Sequence, residues 1–256
     1  MDLGLKGKSV LVTGASKGIG LACAKAFAAE GCELHLASRD AARLEEARKA
    51  VLAAGASRVT VHASDLSKRG AAEALAAACG RIDVLVNNAG AIPGGSVTTV
   101  DEARWRDAWD LKVFGYINMT RQVLPAMEAR GDGAIVNVIG LAGAKPSYDY
   151  ICGAAGNAAL MAFTRGVGAG ATNKGVRVVG VNPTATRTDR IVTLNKARAK
   201  TTFGDESRWE EMMTNLPFGR ICEPEEVADL VVYCASAKAS YLSGTVIDID
   251  GGQLYR

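Results

Sequence analysis

The sequence predicts one α/β domain spanning residues 1–256, built on a doubly wound parallel sheet of about seven strands with helices on both faces. Three observations lead to this fold class. Seven short apolar runs rich in β-forming residues alternate with longer alanine-rich stretches of helical spacing. Runs this apolar are typical of parallel strands buried on both faces. No linker, repeat or low-complexity tract divides the chain, and one α/β domain of this length is common.

The elements follow from these patterns in chain order. Strands are predicted at residues 9–13, 33–37, 59–63, 84–87, 134–138, 177–182 and 245–249. Helices are predicted near residues 19–30, 41–54, 68–79, 100–130, 152–173 and 225–236. The remaining long segment, 184–220, is polar and charged, so it is expected to be a substrate lid or loop with short helices of its own.

Composition narrows the class of protein. Thirty Lys and Arg against 27 Asp and Glu give a net charge of +3, and no dense basic run occurs. We therefore expect neither a nucleic-acid partner nor a membrane-surface partner. No apolar stretch approaches the roughly 18 residues of a membrane helix, and residues 1–8 contain no signal-peptide core. The six cysteines include no C-x-x-C pair, which favours buried thiols in a reducing, cytoplasmic location.

Histidine chemistry is not expected. The only two histidines, His35 and His62, each lie in a predicted strand. Without a nearby carboxylate or cysteine cluster they do not make a credible zinc site, and no metal is predicted. No G-x-S-x-G elbow is present, which argues against a serine hydrolase.

A glycine-rich turn predicts a nucleotide site of the Rossmann type. Gly14, Gly18 and Gly20 follow the first strand, and a helix begins at Ile19. Glycines in this strand–turn–helix context let the backbone approach a pyrophosphate at the helix N-terminus. Without a ligand, the same turn would serve only to join the strand to the helix tightly.

The end of the second strand indicates which dinucleotide binds. Ser38 stands where an NAD site usually has an acid, and Arg39 follows it. A guanidinium there suits a 2′-phosphate, and Lys17 in the glycine turn adds charge. NADP(H) is therefore favoured, and NAD(H) is possible. Because Asp40 is next to Arg39 in the chain, the alternative that Arg39 is a solvated surface residue stays open.

Several motifs together resemble the short-chain dehydrogenase/reductase family over nearly the whole chain. They are Thr13-Gly14-Ala15-Ser16-Lys17-Gly18-Ile19-Gly20, Asp65-Leu66, Asn87-Asn88-Ala89-Gly90, Asn182-Pro183, Thr188 and Asp250-Gly251-Gly252. The resemblance implies that Asp65-Leu66 contacts the adenine and that Pro183 and Thr188 lie near the nicotinamide. It also implies NAD(P)-dependent oxidation of alcohols or reduction of carbonyls, an unidentified small-molecule substrate, and a homodimer or homotetramer built on the two long helices.

The catalytic positions depart from the family pattern. Alignment places Lys112 at the usual asparagine, Gly140 at the serine, Gly153 at the tyrosine and Asn157 at the lysine. Thr184 likewise stands where a glycine is usual. None of the four residues that normally perform the proton chemistry is expected in its place.

Three interpretations stay open. In the first, the acid is relocated: Tyr150 lies one helical turn before Gly153 and Tyr148 lies just before it, and Lys112 and Asn157 keep the family's lysine and asparagine in exchanged places. In the second, hydride transfer proceeds without a protein acid. In the third, the chain is a non-catalytic NADP(H)-binding protein, such as a cofactor sensor or partner subunit.

The substrate is not readable from the sequence. The segment 184–220 is basic, which hints at an anionic substrate, although a solvated loop explains the same pattern. Its charged residues are Arg187, Asp189, Arg190, Lys196, Arg198 and Lys200.

Overall fold

Seven parallel strands form a single sheet in the computed structural model, which describes residues 1–196 and 198–256 in full and residue 197 only as part of its helix. The strand order is β3-β2-β1-β4-β5-β6-β7, and the predicted doubly wound fold is confirmed. The strands are β1 Ser9–Thr13, β2 Glu33–Ser38, β3 Arg58–Ala63, β4 Val84–Asn87, β5 Gly133–Val138, β6 Val176–Pro183 and β7 Val246–Ile249.

Helices connect the strands and cover both faces of the sheet. They are α1 Gly18–Ala29, α2 Ala41–Ala53, α3 Ala71–Cys79, α4 Glu102–Trp109, α5 Gly115–Arg130, α6 Ile151–Ala171, α7 Asp189–Phe203 and α8 Pro224–Ala235. Residues Asp110–Phe114 form a π-helical turn between α4 and α5. Among the described residues, none of the helices combines the length and the apolar character that crossing a bilayer requires.

Two apolar cores, one on each face, account for the unbroken apolar strands. In β1, Val10 and Val12 pack against residues of α1, α2 and α8. Leu11 points to the opposite face and packs with residues of α3 and α5. Successive strand residues alternate between faces, so a strand covered on both sides needs apolar residues at every position.

Three helix predictions need correction. The predicted helix 100–130 begins instead at Glu102, where the Asp101 side chain accepts from a backbone N–H, and the π-helical turn interrupts it. The predicted start of the third helix at residue 68 shifts to Ala71 because Gly70 has a left-handed φ of 80°. The segment 184–220 contains α7, at 15 residues a longer helix than the short ones predicted.

The strand order places a crevice at one edge of the sheet. The chain winds outward in one direction from β1 through β2 to β3 and in the other from β4 to β7. In open α/β sheets, ligands bind at the carboxyl ends of strands where the order reverses in this way. That point lies between β1 and β4, directly beside the glycine turn.

Candidate active site

A cleft of about 1100 Å³ opens at the carboxyl ends of the strands. Most of the predicted cofactor residues line it: Gly14, Ser16, Lys17, Gly18, Ile19, Arg39, Leu66, Asn88, Ala89, Gly90, Asn157, Pro183 and Thr188. Of the predicted set, only Gly20 and Asp65 do not. The structure therefore brings residues that follow five of the strands, together with Asn157 of α6, into one site.

The glycine turn is shaped for close backbone approach. A Cβ on Gly20 would lie 2.3 Å from the carbonyl oxygen of Gly14, so only glycine lets α1 start this close to β1. The Asn88 amide donates to the backbone oxygens of Thr13 (3.1 Å) and Gly14 (3.3 Å), which holds the turn against β4. Gly20 thus acts beneath the cleft rather than in its wall.

The N-terminus of α1 is available to a phosphate. Lys17 occupies the N-cap position in an extended conformation, and its side chain makes no capping hydrogen bond. The first N–H groups of a helix lack intrahelical acceptors, and together with the helix dipole they favour an anion. The residues present therefore fit the pyrophosphate of a dinucleotide.

The end of β2 offers a cation beside this turn. Arg39 is exposed at the cleft, and no hydrogen bond or ion pair ties it to another described residue. Asp40 caps α2 by accepting from the Arg43 N–H at 3.0 Å and forms an ion pair with the Arg43 side chain. Asp40 therefore pairs with Arg43 and does not pair with Arg39.

Two predicted cofactor residues have partners of their own. Lys17 pairs with Asp189 of α7 at 3.2 Å, so its ammonium is not a free second charge. Asp65 accepts from the backbone and hydroxyl of Ser67 and does not line the cleft. Burial opposes ionisation of Asp65, but the Ser67 hydrogen bonds and the charge of Arg39 outweigh it and lower the pKa of the carboxyl.

The ring of Tyr150 covers the predicted tyrosine position. A Cβ on Gly153 would lie 2.2 Å from Tyr150 Cε1 and 2.7 Å from its hydroxyl oxygen. The ring therefore fills the volume where a side chain at residue 153 would begin. Tyr150 lines the cleft, whereas Tyr148 is 66% exposed and does not. Of the two candidate tyrosines, the structure brings only Tyr150 into the site.

Arg190 of α7 holds the Tyr150 hydroxyl. Its Nη2 donates to the Tyr150 oxygen at 2.9 Å and to the carbonyl oxygen of Ile92 at 2.6 Å. A guanidinium is only a donor, so the phenolic O–H has to point elsewhere and remains free to donate. The sequence indicates that the segment 184–220 is basic, but it gives no sign of this contact with Tyr150.

Lys112 also points into the cleft. It lies in the π-helical turn, its stem packs over Gly90, and its Nζ donates to the carbonyl oxygen of Ile139 at 2.5 Å. Burial, with a smaller contribution from the positive charge of Arg190, lowers the pKa of the ammonium to about 7. This amine exchanges a proton near neutral pH.

Asn157 has an unused acceptor at the cleft wall. Its Nδ2 donates to the carbonyl oxygen of Gly140 at 3.2 Å, while its buried Oδ1 has no partner among the described residues. Gly140 adopts a φ of 127° and lies against this amide; such a conformation favours glycine. A buried acceptor without a donor is costly, and a ribose hydroxyl would supply the donor.

The expectation that the histidines stand without a cysteine is wrong. Adjacent strands bring the His35 Nδ1 and His62 Nε2 atoms to 3.0 Å, and Cys79 Sγ lies 3.6 Å from His62 Nε2. The three residues are 17 or more positions apart in the chain, so spacing alone gave no sign of the group. It lies outside the cleft.

The depressed pKa of Lys112 predicts a pH-dependent cost. The folded state prefers the neutral amine above about pH 7, whereas the unfolded chain stays protonated to about pH 10.4. The loss of folding stability caused by the buried ammonium is complete below pH 7 and disappears as the pH rises from about 7 to about 10.4. We expect Lys112→Met to raise the free energy of unfolding on the order of 2–4 kcal/mol at pH 6, as measured by urea denaturation.

The control for this measurement is Lys49→Met on exposed α2. The gain from Lys112→Met shrinks towards pH 10, while the control shows no such trend. Parallel pH profiles of Lys112→Met and the native chain would contradict the assignment of a buried amine.

The chain resembles known oxidoreductases in sequence and fold. The short chain dehydrogenase family matches residues 8–199. Galactitol 2-dehydrogenase (L-tagatose-forming) of Cereibacter sphaeroides is 35% identical over 97% of this chain and 95% of its own length. 2-Keto-3-deoxy-L-fuconate dehydrogenase of Xanthomonas campestris pv. campestris is 33% identical over 97% of this chain and 80% of its own. The solved L-sorbose reductase of Gluconobacter frateurii, complexed with NADPH and L-sorbose, superposes with a TM-score of 0.92 at 30% identity, covering 100% of both chains.

Fold, cleft and relatives define a class: a dinucleotide-binding oxidoreductase. The chain belongs to the short-chain dehydrogenase/reductase family and is an NAD(P)-dependent dehydrogenase or reductase.

Proposed function

We propose that the chain interconverts a ketose and a polyol, with NADP(H) preferred over NAD(H), and that Tyr150 replaces the family's usual tyrosine as the proton-transferring residue. One observation carries this proposal: the Tyr150 ring fills the space above Gly153 while Arg190 orients its hydroxyl at the cleft. The catalytic centre is altered in sequence, but a phenol still stands where proton transfer is needed.

The chain's own residues supply binding and proton transfer. When bound, the nicotinamide coenzyme supplies or accepts the hydride. Tyr150 donates its proton to the carbonyl oxygen during reduction and removes it from the alcohol during oxidation. The Arg190 guanidinium stabilises the negative charge left on the phenol oxygen. Lys112 lies in the same cleft with a pKa of about 7, and it serves as the nearby group that returns a proton.

Asn157 would hold the coenzyme without charge. Its buried Oδ1 has no donor among the described residues, and a ribose hydroxyl would supply one. Proximity of the hydride donor and acceptor supplies much of the rate, and this contact would help to hold the coenzyme in place.

Arg39 supports the preference for NADP(H). It is an exposed cation without an ion-pair partner among the described residues, next to the turn that fits the pyrophosphate. We expect Arg39→Ala to weaken NADPH binding by about 10–100-fold, because a charge-assisted bond contributes roughly 1.5–3 kcal/mol. NADH affinity stays within about twofold. Fluorescence titration of both nucleotides measures this; equal losses for the two would remove the role of Arg39.

Two observations support a ketose or polyol as the substrate: the activities of the relatives and the polar wall of the cleft. Two of the relatives named above are a galactitol dehydrogenase and an L-sorbose reductase. The cleft wall combines donors and acceptors on Lys112, Ser147 and Arg190 with apolar residues such as Leu194. Such a wall suits a ligand with several hydroxyl groups, which need hydrogen-bond partners when they leave water.

The test is a turnover panel with purified protein. We expect NADPH-dependent reduction of ketoses such as L-sorbose and L-tagatose. This reduction should be faster than the reduction of a simple aliphatic ketone or of a 2-keto sugar acid. Activity confined to the acidic sugars would instead favour an anionic substrate recognised by Arg198 of the lid. Tight NADPH binding with no turnover on any substrate would support the non-catalytic NADP(H)-binding alternative.

A homodimer or homotetramer is proposed through α6. Four small residues, Ala158, Ala162, Gly166 and Gly170, recur every fourth position on its exposed surface. This spacing places them on one helix face, and small side chains let two helices approach closely.

A further inference from the structure

A compact group of nitrogen and sulfur atoms lies at the edge of the sheet remote from the substrate lid. β3 is the edge strand and pairs with β2 so that His62 stands opposite Ala37 and His35 opposite Thr60. The two histidines are thus diagonal neighbours on one sheet face. Cys79, the last residue of α3, packs over the same face.

Two of the three separations between the ligand atoms are close to those of a tetrahedral metal site. His35 Nδ1 and His62 Nε2 are 3.0 Å apart, His62 Nε2 and Cys79 Sγ are 3.6 Å apart, and all three atoms lie within 4.8 Å of one another. With Zn–N bonds of about 2.0–2.1 Å and Zn–S bonds of about 2.3 Å, tetrahedral geometry separates ligand atoms by about 3.3 Å for N–N and about 3.6 Å for N–S. The third distance, between His35 Nδ1 and Cys79 Sγ, is at most 4.8 Å.

The environment keeps both imidazoles in their ligand form. Burial lowers the pKa of His35, with a further contribution from His62, and burial also lowers that of His62. Neutral imidazoles carry the lone pair that a metal takes. The rings stack at 5.3 Å between centroids, so their orientations are fixed by packing.

The group is separate from the oxidoreductase site, because none of the three residues lines the cleft. Their nitrogen and sulfur ligands disfavour Mg²⁺ and Ca²⁺, which prefer oxygen, and suit zinc.

We propose that His35, His62 and Cys79 form a three-ligand Zn²⁺ site at the β2–β3 edge, separate from the oxidoreductase cleft. Binding forms a Zn–S bond and breaks the Cys79 S–H bond, and the proton passes to solvent; no electron is transferred. A water molecule completes the tetrahedron, as in zinc sites with three protein ligands.

The experiment titrates chelator-treated full-length protein with Zn²⁺ against a chromophoric chelator and with Co²⁺ by absorbance. We expect one equivalent of each metal, with a thiolate-to-cobalt charge-transfer band. Cys79→Ala removes that band, and Cys79→Ala and His62→Gln each weaken Zn²⁺ binding at least about 100-fold, since even indirect partners of metal ligands cost 10–100-fold.

Cys234→Ala is the matched control, a buried cysteine of α8 on the opposite face of the sheet. It keeps native affinity and the cobalt band. Circular dichroism verifies that each variant is folded. If Cys79→Ala does not fold, the affinity of His62→Gln for Zn²⁺ decides the result. Absence of stoichiometric Zn²⁺ binding in the native chain, or unchanged affinity in His62→Gln, overturns the proposal whether or not the protein reduces ketoses.

Discussion

Tyr150→Phe is expected to lower kcat by about 10²–10⁴-fold, the usual contribution of a positioned general acid. The substitution removes one oxygen and keeps the ring that fills the space above Gly153. Coenzyme affinity should therefore be retained, and NADPH fluorescence titration checks this alongside steady-state turnover. Because the loss is confined to the proton donor, it appears in kcat and kcat/KM together.

Tyr148→Phe is the matched control. That ring is 66% exposed and outside the cleft, so turnover should remain within about twofold of native. Turnover retained in Tyr150→Phe would end the assignment of this phenol as the acid. It would favour hydride transfer without a protein acid, the second interpretation open from the sequence.

Gly153→Ala should be nearly as damaging as removal of the phenol. The new methyl group would lie 2.2 Å from Tyr150 Cε1 and 2.3 Å from Cζ, distances at which one of them has to move. We expect the ring to swing away from Arg190, with kcat falling at least about 100-fold, since a misplaced acid loses the same contribution as an absent one. Turnover assays and a structure of the variant measure the two effects.

A surface substitution away from both α6 and the cleft provides the comparison. Glu46 is exposed on α2 and does not line the cleft. Glu46→Ala should leave turnover unchanged, because it alters neither the Tyr150 ring nor the proposed α6 contact. Native turnover in Gly153→Ala would show that the position of the Tyr150 ring does not control the reaction.

The sheet was predictable because buried parallel strands leave a continuous apolar signature. No predicted strand boundary differs from the observed one by more than one residue. The differences lie at strand ends, where pairing with a neighbouring strand rather than the side-chain pattern decides the boundary. The interruption at Asp110–Phe114 was not predictable. Its residues have ordinary helical character, and their spacing gives no sign of a wider turn.

The grouping of the expected coenzyme residues around one cleft was also predictable, because their motifs are local. Glycine spacing and the residues after β4 act within one turn of the chain, and the structure groups nearly all of them around the cleft. The catalytic half depends on residues that meet only in three dimensions. Arg190 follows Tyr150 by 40 positions, and nothing in the local pattern of either residue indicates the other.

The first turn of α7 touches both halves of the cleft at once. Asp189 pairs with Lys17 beside the phosphate-binding turn, while its neighbour Arg190 grips the Tyr150 phenol. Two adjacent side chains of α7 therefore contact the phosphate-binding turn and the proposed acid, Tyr150. We expect a substitution that displaces this helical turn to affect coenzyme binding and proton transfer together.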